Sequence, residues 1–157
     1  MDFGLFCLMN QRSTTQTVRE ILSQTSEQVK AAEAAGFKTA WFAEHHFSNY
    51  SLTPSPLLMV AHMAALTTRI QLGTGVLVLP LYHPARLLAE IGMADQMAQG
   101  RLVLGIGSGY QPFEFERFGL DLEEAKDRTL EMLEIIEGGL TRSEISFRGK
   151  YIHQAET

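Results

Sequence analysis

The sequence predicts an α/β fold, a parallel sheet covered by helices, and three observations carry the prediction. Strand-like and helix-like segments alternate four times along the 157 residues. The strand runs begin near Phe3, Lys38, Arg69 and Arg101, a spacing of roughly 30–35 residues, which is the size of one strand–crossover–strand unit. The runs themselves are nearly continuous in apolar residues, as strands covered on both faces are. Two closures satisfy this pattern. One is an open doubly wound sheet. The other is a barrel of eight such units, which takes about 250 residues, so that four units make half of it. Residues 1–157 read as a single α/β domain.

Phe3-Gly4-Leu5-Phe6-Cys7-Leu8 is the first strand, and the polar Asn10–Thr15 stretch is a loop. Thr17-x-x-Glu20 is a capping box. Val18, Ile21, Leu22, Thr25, Val29 and Ala32 then recur at helical spacing until Gly36 stops the helix. Its weakest part is Ser23–Ser26. The second strand is Thr39-Ala40-Trp41-Phe42-Ala43. After a loop from Ser48 to Ser55, Pro56 opens a helix carrying Leu57, Val60, Ala64 and Ala65. The third strand, Arg69 to Leu79, is interrupted at Gly73 and Gly75, where a bulge or a close backbone approach is expected. His83-Pro84 opens a helix that Gly100 ends, and Arg101–Ile106 is the fourth strand. Asp121-x-x-Glu124 is expected to cap a last helix stopped by Gly138-Gly139. A small hairpin over Ser143–Phe147 and Lys150–His153 follows, turning at Arg148-Gly149.

The second strand ends in the chain's densest chemistry, Glu44-His45-His46. Functional groups gather at the carboxyl ends of strands in such folds. An imidazole titrates near neutral pH, and a carboxylate within reach fixes its tautomer, so the group reads as an acid–base candidate. Side chains alternate along a strand, which puts Glu44 and His46 on one side and His45 on the other. The same residues would serve equally as polar residues that end a strand. A metal site is not expected, because no spacing brings His62 and His83 to this cluster and a site needs three or four convergent ligands.

Gly105-x-Gly107-x-Gly109 follows a strand, as a phosphate-binding loop does, but Tyr110 stands where the dinucleotide fingerprint needs glycine and no P-loop lysine is present. It serves as well as a plain tight turn. Ser108 is not in a nucleophile elbow, since Ile106 and Tyr110 occupy the glycine positions. The acidic run around Glu114–Asp127 reads as a solvated helix and loop face. A formal charge of −5 with no basic patch argues against a nucleic-acid or anionic-membrane partner. No apolar run approaches the roughly 20 residues of a membrane span. The amino terminus lacks the pattern of a signal peptide, and Cys7 is the only cysteine, in an apolar strand. A reducing cytoplasm is the expected location.

Several segments together carry a family resemblance. They are Phe3-Gly4-Leu5-Phe6; Ala34-Ala35-Gly36-Phe37 followed by Trp41 to Phe47; Leu72-Gly73-Thr74-Gly75-Val76-Leu77-Val78-Leu79-Pro80 with His83-Pro84; and Asp95-Gln96-Met97 through Gly100-Arg101 to Gly105-Ile106-Gly107-Ser108-Gly109. In this order and spacing the chain resembles the bacterial luciferase-like flavin monooxygenases from Met1 to about Ile152. The resemblance implies a (β/α)8 TIM-type barrel, of which this chain is the amino-terminal half with a small terminal hairpin, binding FMN at the carboxyl ends of its strands. It implies His45 as the histidine beside the flavin and Glu44 as the carboxylate next to it. Gly75 and Val76 match a site where the family often has a non-prolyl cis peptide under the isoalloxazine. Gly107, Ser108, Gly109 and Tyr110 match the loop that skirts the flavin.

Gly107 stands where the light-emitting luciferases have a reactive cysteine, and Ser108 where they have an arginine near the flavin phosphate, which speaks against bioluminescence. The family's main phosphate-binding segment, after the fifth strand, lies beyond this sequence. The implied activity is a flavin-dependent monooxygenase: reduced FMN, supplied by a separate flavin reductase, and molecular oxygen act on a small organic substrate, with the half-length chain itself inactive. A deazaflavin-dependent oxidoreductase of the same fold, or a non-catalytic oligomerising fragment, are the alternatives. Open sheet edges in a half-barrel lead to the expectation of a homo-oligomer.

Overall fold

A computed structural model of the chain describes residues 1–156. The elements, in order, are β1 (Gly4–Cys7), α1 (Val18–Ala34), β2 (Thr39–Phe42), α2 (Pro56–Ala64), β3 (Gln71–Thr74), β4 (Leu77–Val78), α3 (Pro84–Ala98), β5 (Leu102–Val103), β6 (Ile106–Gly107), α4 (Pro112–Phe118), α5 (Ala125–Thr141), β7 (Phe147–Arg148) and β8 (His153–Gln154). They fall into two compact units, Met1–Leu77 with Met93–Ile106, and Val78–Gly92 with Gly107–Thr157. Among the described residues no helix is long and apolar enough to cross a membrane.

The first unit is built on a four-stranded parallel sheet in the order β1-β2-β3-β5. The alternation of side chains along strands decides its two faces. Cys7, Ala40, Phe42, Leu72 and Thr74 point to one face and are all buried. Ile21, Val29 and Ala32 of α1 and Leu57, Val60 and Met63 of α2 form the buried stripes of the covering helices. Burial at Cys7 pushes its thiol up to about 12, so it packs as a small hydrophobe and is not a nucleophile.

The other face belongs to Trp41. A Cβ on Gly73 would lie 2.4 Å from the Trp41 ring, and one on Gly4 would lie 3.1 Å from its indole nitrogen. A Cβ on Gly105 would lie 3.5 Å from the ring and only 2.1 Å from the Thr74 carbonyl oxygen. The indole therefore lies across strands whose glycines clear its path. This face is not fully covered: Trp41 is half-buried and Phe6, its register partner on β1, is 57% exposed. The apolar run at Trp41 thus misleads on one point. It marks one face under helices, and a second filled mainly by the run's own tryptophan.

Local signals place the helices. Thr17 accepts from the Glu20 N–H while Glu20 accepts from the Thr17 N–H, a complete capping box. The weak middle of α1 stays helical, with Thr25 and Ser26 on its buried face and their hydroxyls donating to the Ile21 and Leu22 carbonyls. Gly36, at φ +83°, ends that helix. Ser55 caps α2 ahead of Pro56. The third strand is interrupted near the glycines, as expected: β3 ends at Thr74 and β4 begins at Leu77, with Gly75-Val76 between them.

At the amino ends of the strands two charged side chains hold the backbone. One Glu33 oxygen accepts the N–H groups of Thr68, Arg69 and Ile70 at 2.9, 2.7 and 2.9 Å. The Arg101 guanidinium donates to the carbonyls of Ala98, Ile70 and Ala64 and to the Thr67 hydroxyl.

In the second unit three expectations are revised. The helix α4 occupies Pro112–Phe118, and its Glu114 is 1% exposed, so the acidic run is not wholly a solvated face. Asp121 caps a short 3-10 turn over Leu122–Glu124 by accepting the Glu123 N–H; it does not cap α5. Gly138 and Gly139 do not stop α5, which runs on to Thr141. Gly139 is small because Leu88 of α3 packs onto it: a Cβ there would sit 2.7 Å from a Leu88 methyl. The hairpin pairs Phe147 with Gln154 and Arg148 with His153, and its loop backbone is held by Glu131, which accepts the N–H groups of Lys150, Tyr151 and Ile152.

Two predictions follow from the first unit. Gly73→Ala and Gly105→Ala should each destabilise the chain toward the upper end of about 1–3 kcal/mol in denaturant unfolding. The Gly73 penalty should shrink in a Trp41→Phe background, whereas the Gly105 penalty, set by a backbone oxygen, should not. Equal penalties in both backgrounds would refute the indole account. At Glu33, partial burial pushes the carboxyl up, but the N–H groups of Ile70, Arg69 and Thr68 and the charge of Arg69 outweigh it and hold it low. A depressed carboxyl contributes stability above its unfolded value of about 4.3 and loses it as pH falls through the lower folded value. Glu33→Gln should therefore cost roughly 1 kcal/mol near neutral pH, solvent screening included, and the gap to wild type should close in acid below about pH 4.

Candidate functional site

The carboxyl ends of β1, β2, β3 and β5 are stitched into one corner within the first unit. The Ala43 N–H donates to the Cys7 carbonyl at 3.3 Å, and the Gly75 N–H to the Phe42 carbonyl at 2.7 Å. The Thr74 hydroxyl donates to the Gly105 carbonyl at 2.8 Å and accepts from the Gly105 N–H at 2.9 Å. The Leu77 N–H donates to the same Gly105 carbonyl at 2.8 Å. Gly105 thus needs to be glycine for this close backbone contact. The peptide bond between Gly75 and Val76 is cis.

Glu44, His45 and His46 leave this corner directly after β2. Glu44 is 3% exposed, and its Oε1 lies 3.0 Å from His46 Nε2, the pairing that strand alternation predicts. The His45 ring meets Tyr50 edge to face with centroids 4.8 Å apart, and the His45 N–H donates to the Thr53 carbonyl at 3.1 Å. Phe47 follows at φ +59°, a left-handed conformation uncommon for a residue with a side chain. It turns the chain sharply out of the strand direction.

The loop beyond is tied back on two sides. The Leu52 N–H donates to the Met9 carbonyl at 3.1 Å, and the Gln11 N–H to the Asn49 carbonyl at 3.0 Å. The Thr53 hydroxyl donates to Met9 Sδ, and Ser51 and Thr53 are both buried. Met9 itself is left-handed, at φ +54°. His45, His46 and Phe47 with Ser48, Asn49, Ser51, Leu52 and Pro54 of the loop line an open cleft of about 410 Å³. No lysine or arginine is among its lining residues.

Glu44, His45, Gly75 and Val76 are therefore gathered at the same end of the sheet. Gly107, Ser108, Gly109 and Tyr110 belong to the second unit. There Gly109 is required by φ +77° and by packing, since a Cβ would lie 2.7 Å from Phe115 and from Val78. Tyr110 is exposed, and the Ser108 hydroxyl donates to the Gly109 carbonyl at 3.4 Å. Sequence reasoning missed Met9, Tyr50 and Thr53. Left-handed backbone at a methionine or phenylalanine leaves no signal in composition, and a loop threonine looks like any other.

Comparison with known proteins agrees with this geometry. The sequence profile of the family described as luciferase-like monooxygenase matches residues 1–157. The Sinorhizobium fredii protein y4vJ is 55% identical over 152 residues, 97% of this chain and 43% of its own length. The oxygenase component of the flavin-dependent trigonelline monooxygenase of Acinetobacter baylyi is 35% identical over 158 residues, 99% of this chain and 42% of its own. Among solved structures, the oxygenating constituent of 3,6-diketocamphane monooxygenase from Pseudomonas putida, in complex with FMN, superimposes with a TM-score of 0.90 at 28% identity, over 98% of this chain and 43% of that one. The chain spans less than half the length of these relatives, and its strand–helix units correspond to about half of their TIM-type barrel. With a family profile matched from end to end and the parallel sheet carrying its polar cluster where that fold places it, this chain belongs to the luciferase-like monooxygenase family.

Proposed function

We propose that this chain supplies the His45-bearing part of a flavin-dependent monooxygenase that uses reduced FMN, delivered by a separate reductase, and molecular oxygen on a small organic substrate. The observation that carries the reading is that Glu44, His45 and Gly75 lie at one end of the parallel sheet, the carboxyl end of its strands, in a chain of the luciferase-like monooxygenase family. The FMN-bound relative and the oxygenase-component relative support the cofactor and the reductase.

An added Cβ at Gly75 would lie 3.3 Å from the Phe6 ring and 3.4 Å from the Trp41 Cβ, so this glycine makes room for those two neighbours, and its place beside a flavin rests on the family resemblance. Gly75 and Val76 would lie against the isoalloxazine, with Glu44 near it. Gly107, Ser108, Gly109 and Tyr110 are proposed as cofactor-binding on the family resemblance alone. The phosphate is not provided for by the residues of the His45 cleft, which include no cation. When bound, the flavin supplies the reducing electrons for oxygen. His45 is held by its backbone bond to Thr53 and its ring contact with Tyr50, which fixes where its imidazole takes or gives a proton.

The free edges of the sheet add a proposal about assembly. β1 and β5 lie at the two ends of the strand order, and Phe6 is 57% exposed. Unpaired edges beside an apolar face favour self-association, so the chain is proposed to form a homo-oligomer.

In the complete oxygenase, His45→Ala should lower substrate oxidation roughly 100- to 10,000-fold while FMN binding changes far less. Unchanged turnover in steady-state assays would make His45 a structural residue. The 157-residue chain itself should sediment as an oligomer, and FMN titrated into it should bind weakly, with oxygen consumption near background. A compact monomer would defeat the assembly proposal, and tight FMN binding would show that phosphate contacts lie elsewhere in the chain.

A further inference from the structure

The four strands of the first unit are unequally covered. β2 and β3, in the middle of the order, each bury three of their four residues. β1 and β5, at its two ends, are apolar as well, yet β1 buries only Cys7, and β5 buries neither Leu102 nor Val103. Phe3 and Phe6 are exposed. A groove of about 440 Å³ lies beside β1, with Phe6, Cys7 and Leu8 on the strand side and Ile21, Gln24 and Thr25 of α1 among its other walls.

The backbone is open at the same two edges. In a parallel sheet alternate residues turn their N–H and C=O groups toward the same neighbouring strand. The Phe3 and Cys7 carbonyls accept from Lys38 and Ala43 on the β2 side, so Gly4, Phe6 and Leu8 turn their backbone groups to the outer edge. The Arg101 and Gly105 carbonyls accept from Leu72 and Leu77, so Leu102 and Leu104 do the same at the far edge. Unpaired apolar edges are a template for another strand.

The shared direction of the strands selects the partner. A second copy, related by a two-fold axis through the barrel, brings its β5 to β1 and its β1 to β5, with every carboxyl end on one side. Eight strands result, the number in a TIM-type barrel. Pairing β1 with β1 would be antiparallel and would leave both β5 edges open. The area agrees: the chain exposes 9123 Å², whereas a folded monomer of 17.5 kDa exposes about 7,900 Å². An excess of about 1,200 Å² on each chain, buried between two copies, reaches the range of obligate dimers.

We propose that two copies of this chain close a two-fold, eight-stranded barrel in which β5 of each pairs in parallel with β1 of the other. Closure covers Phe6, which lies on the Trp41 face of the sheet. The proposal rests on the self-association put forward in the preceding subsection, to which it gives the partner edges and the symmetry; it makes no use of flavin.

The test blocks one edge at a time in the 157-residue chain. Leu8→Pro removes an outward N–H beside β1, and Leu104→Pro removes one beside β5. At a concentration where the wild type sediments at twice its 17.5 kDa mass, each variant alone should sediment as a monomer. Its dissociation constant should rise roughly tenfold or more, since both seams lose a ladder bond. The two variants mixed in equal amounts should recover dimer, because one seam then joins two unaltered edges. Loss of dimer with Leu8→Pro but not with Leu104→Pro would mean that β1 meets β1, and would overturn the pairing. Wild-type oligomers that neither variant disturbs, or no recovery on mixing, would overturn it too while leaving self-association standing. A monomeric wild type would overturn both. Circular dichroism shows whether each variant folds. Where one does not, hydrogen exchange in the wild type decides: the amides of Phe6, Leu8, Leu102 and Leu104 should gain protection as concentration rises, and no gain refutes the pairing. Flavin enters none of these measurements, so their failure is distinct from failure of the oxygenase reading.

Discussion

One packing constraint, the Trp41 indole laid across the sheet, sets the geometry of the first unit. Its ring passes over β3 and reaches toward β1 and the end of β5, and three glycines on those neighbours, Gly4, Gly73 and Gly105, leave room for it. A single side chain thereby reaches three strands on one face of a four-stranded sheet. The cost is that this face has few other apolar side chains, and Phe6 remains open to solvent. The opposite face needs no such device, because α1 and α2 cover small and medium residues in the usual way.

Polar groups hold the backbone at the two ends of the sheet, and they do different work there. At the amino ends Glu33 and Arg101 satisfy backbone groups that the short strands leave without ladder partners. At the carboxyl ends the hydrogen bonds run between strands and loops, through Thr74, Gly105, Thr53 and Met9. The first arrangement stabilises; the second fixes a cleft with titratable groups in its wall. This division between a stability end and a functional end is expected of parallel strand–helix units.

Buried Glu44 shows how closely the two demands are coupled. A carboxylate with no solvent exposure is costly unless it is bonded. His46 supplies a bond, and the αL turn at Phe47 with the His45–Thr53 bond gives the segment its path away from the strand. The groups available for chemistry are thus held by the same contacts that make their burial tolerable.

The sequence by itself determined the parallel α/β class, the four strand–helix units, the capping box at Thr17 and the placement of Glu44 and His46 on one side of the chain. Each of these depends on periodicity or on partners within a few residues, and such signals are local. The family was legible as well, through short motifs in a fixed order. Only the tertiary structure decided that the Trp41 ring lies over its own face, that Gly139 is a packing contact inside α5 and no stop, that Glu114 is buried, and that Tyr50 and Thr53 contact His45 while Met9 holds Thr53. These are outcomes of which surfaces meet across tens of residues. A glycine that ends a helix and a glycine that admits a neighbouring leucine read the same in one dimension, and what distinguishes them is the atom lying a few ångströms from the missing Cβ.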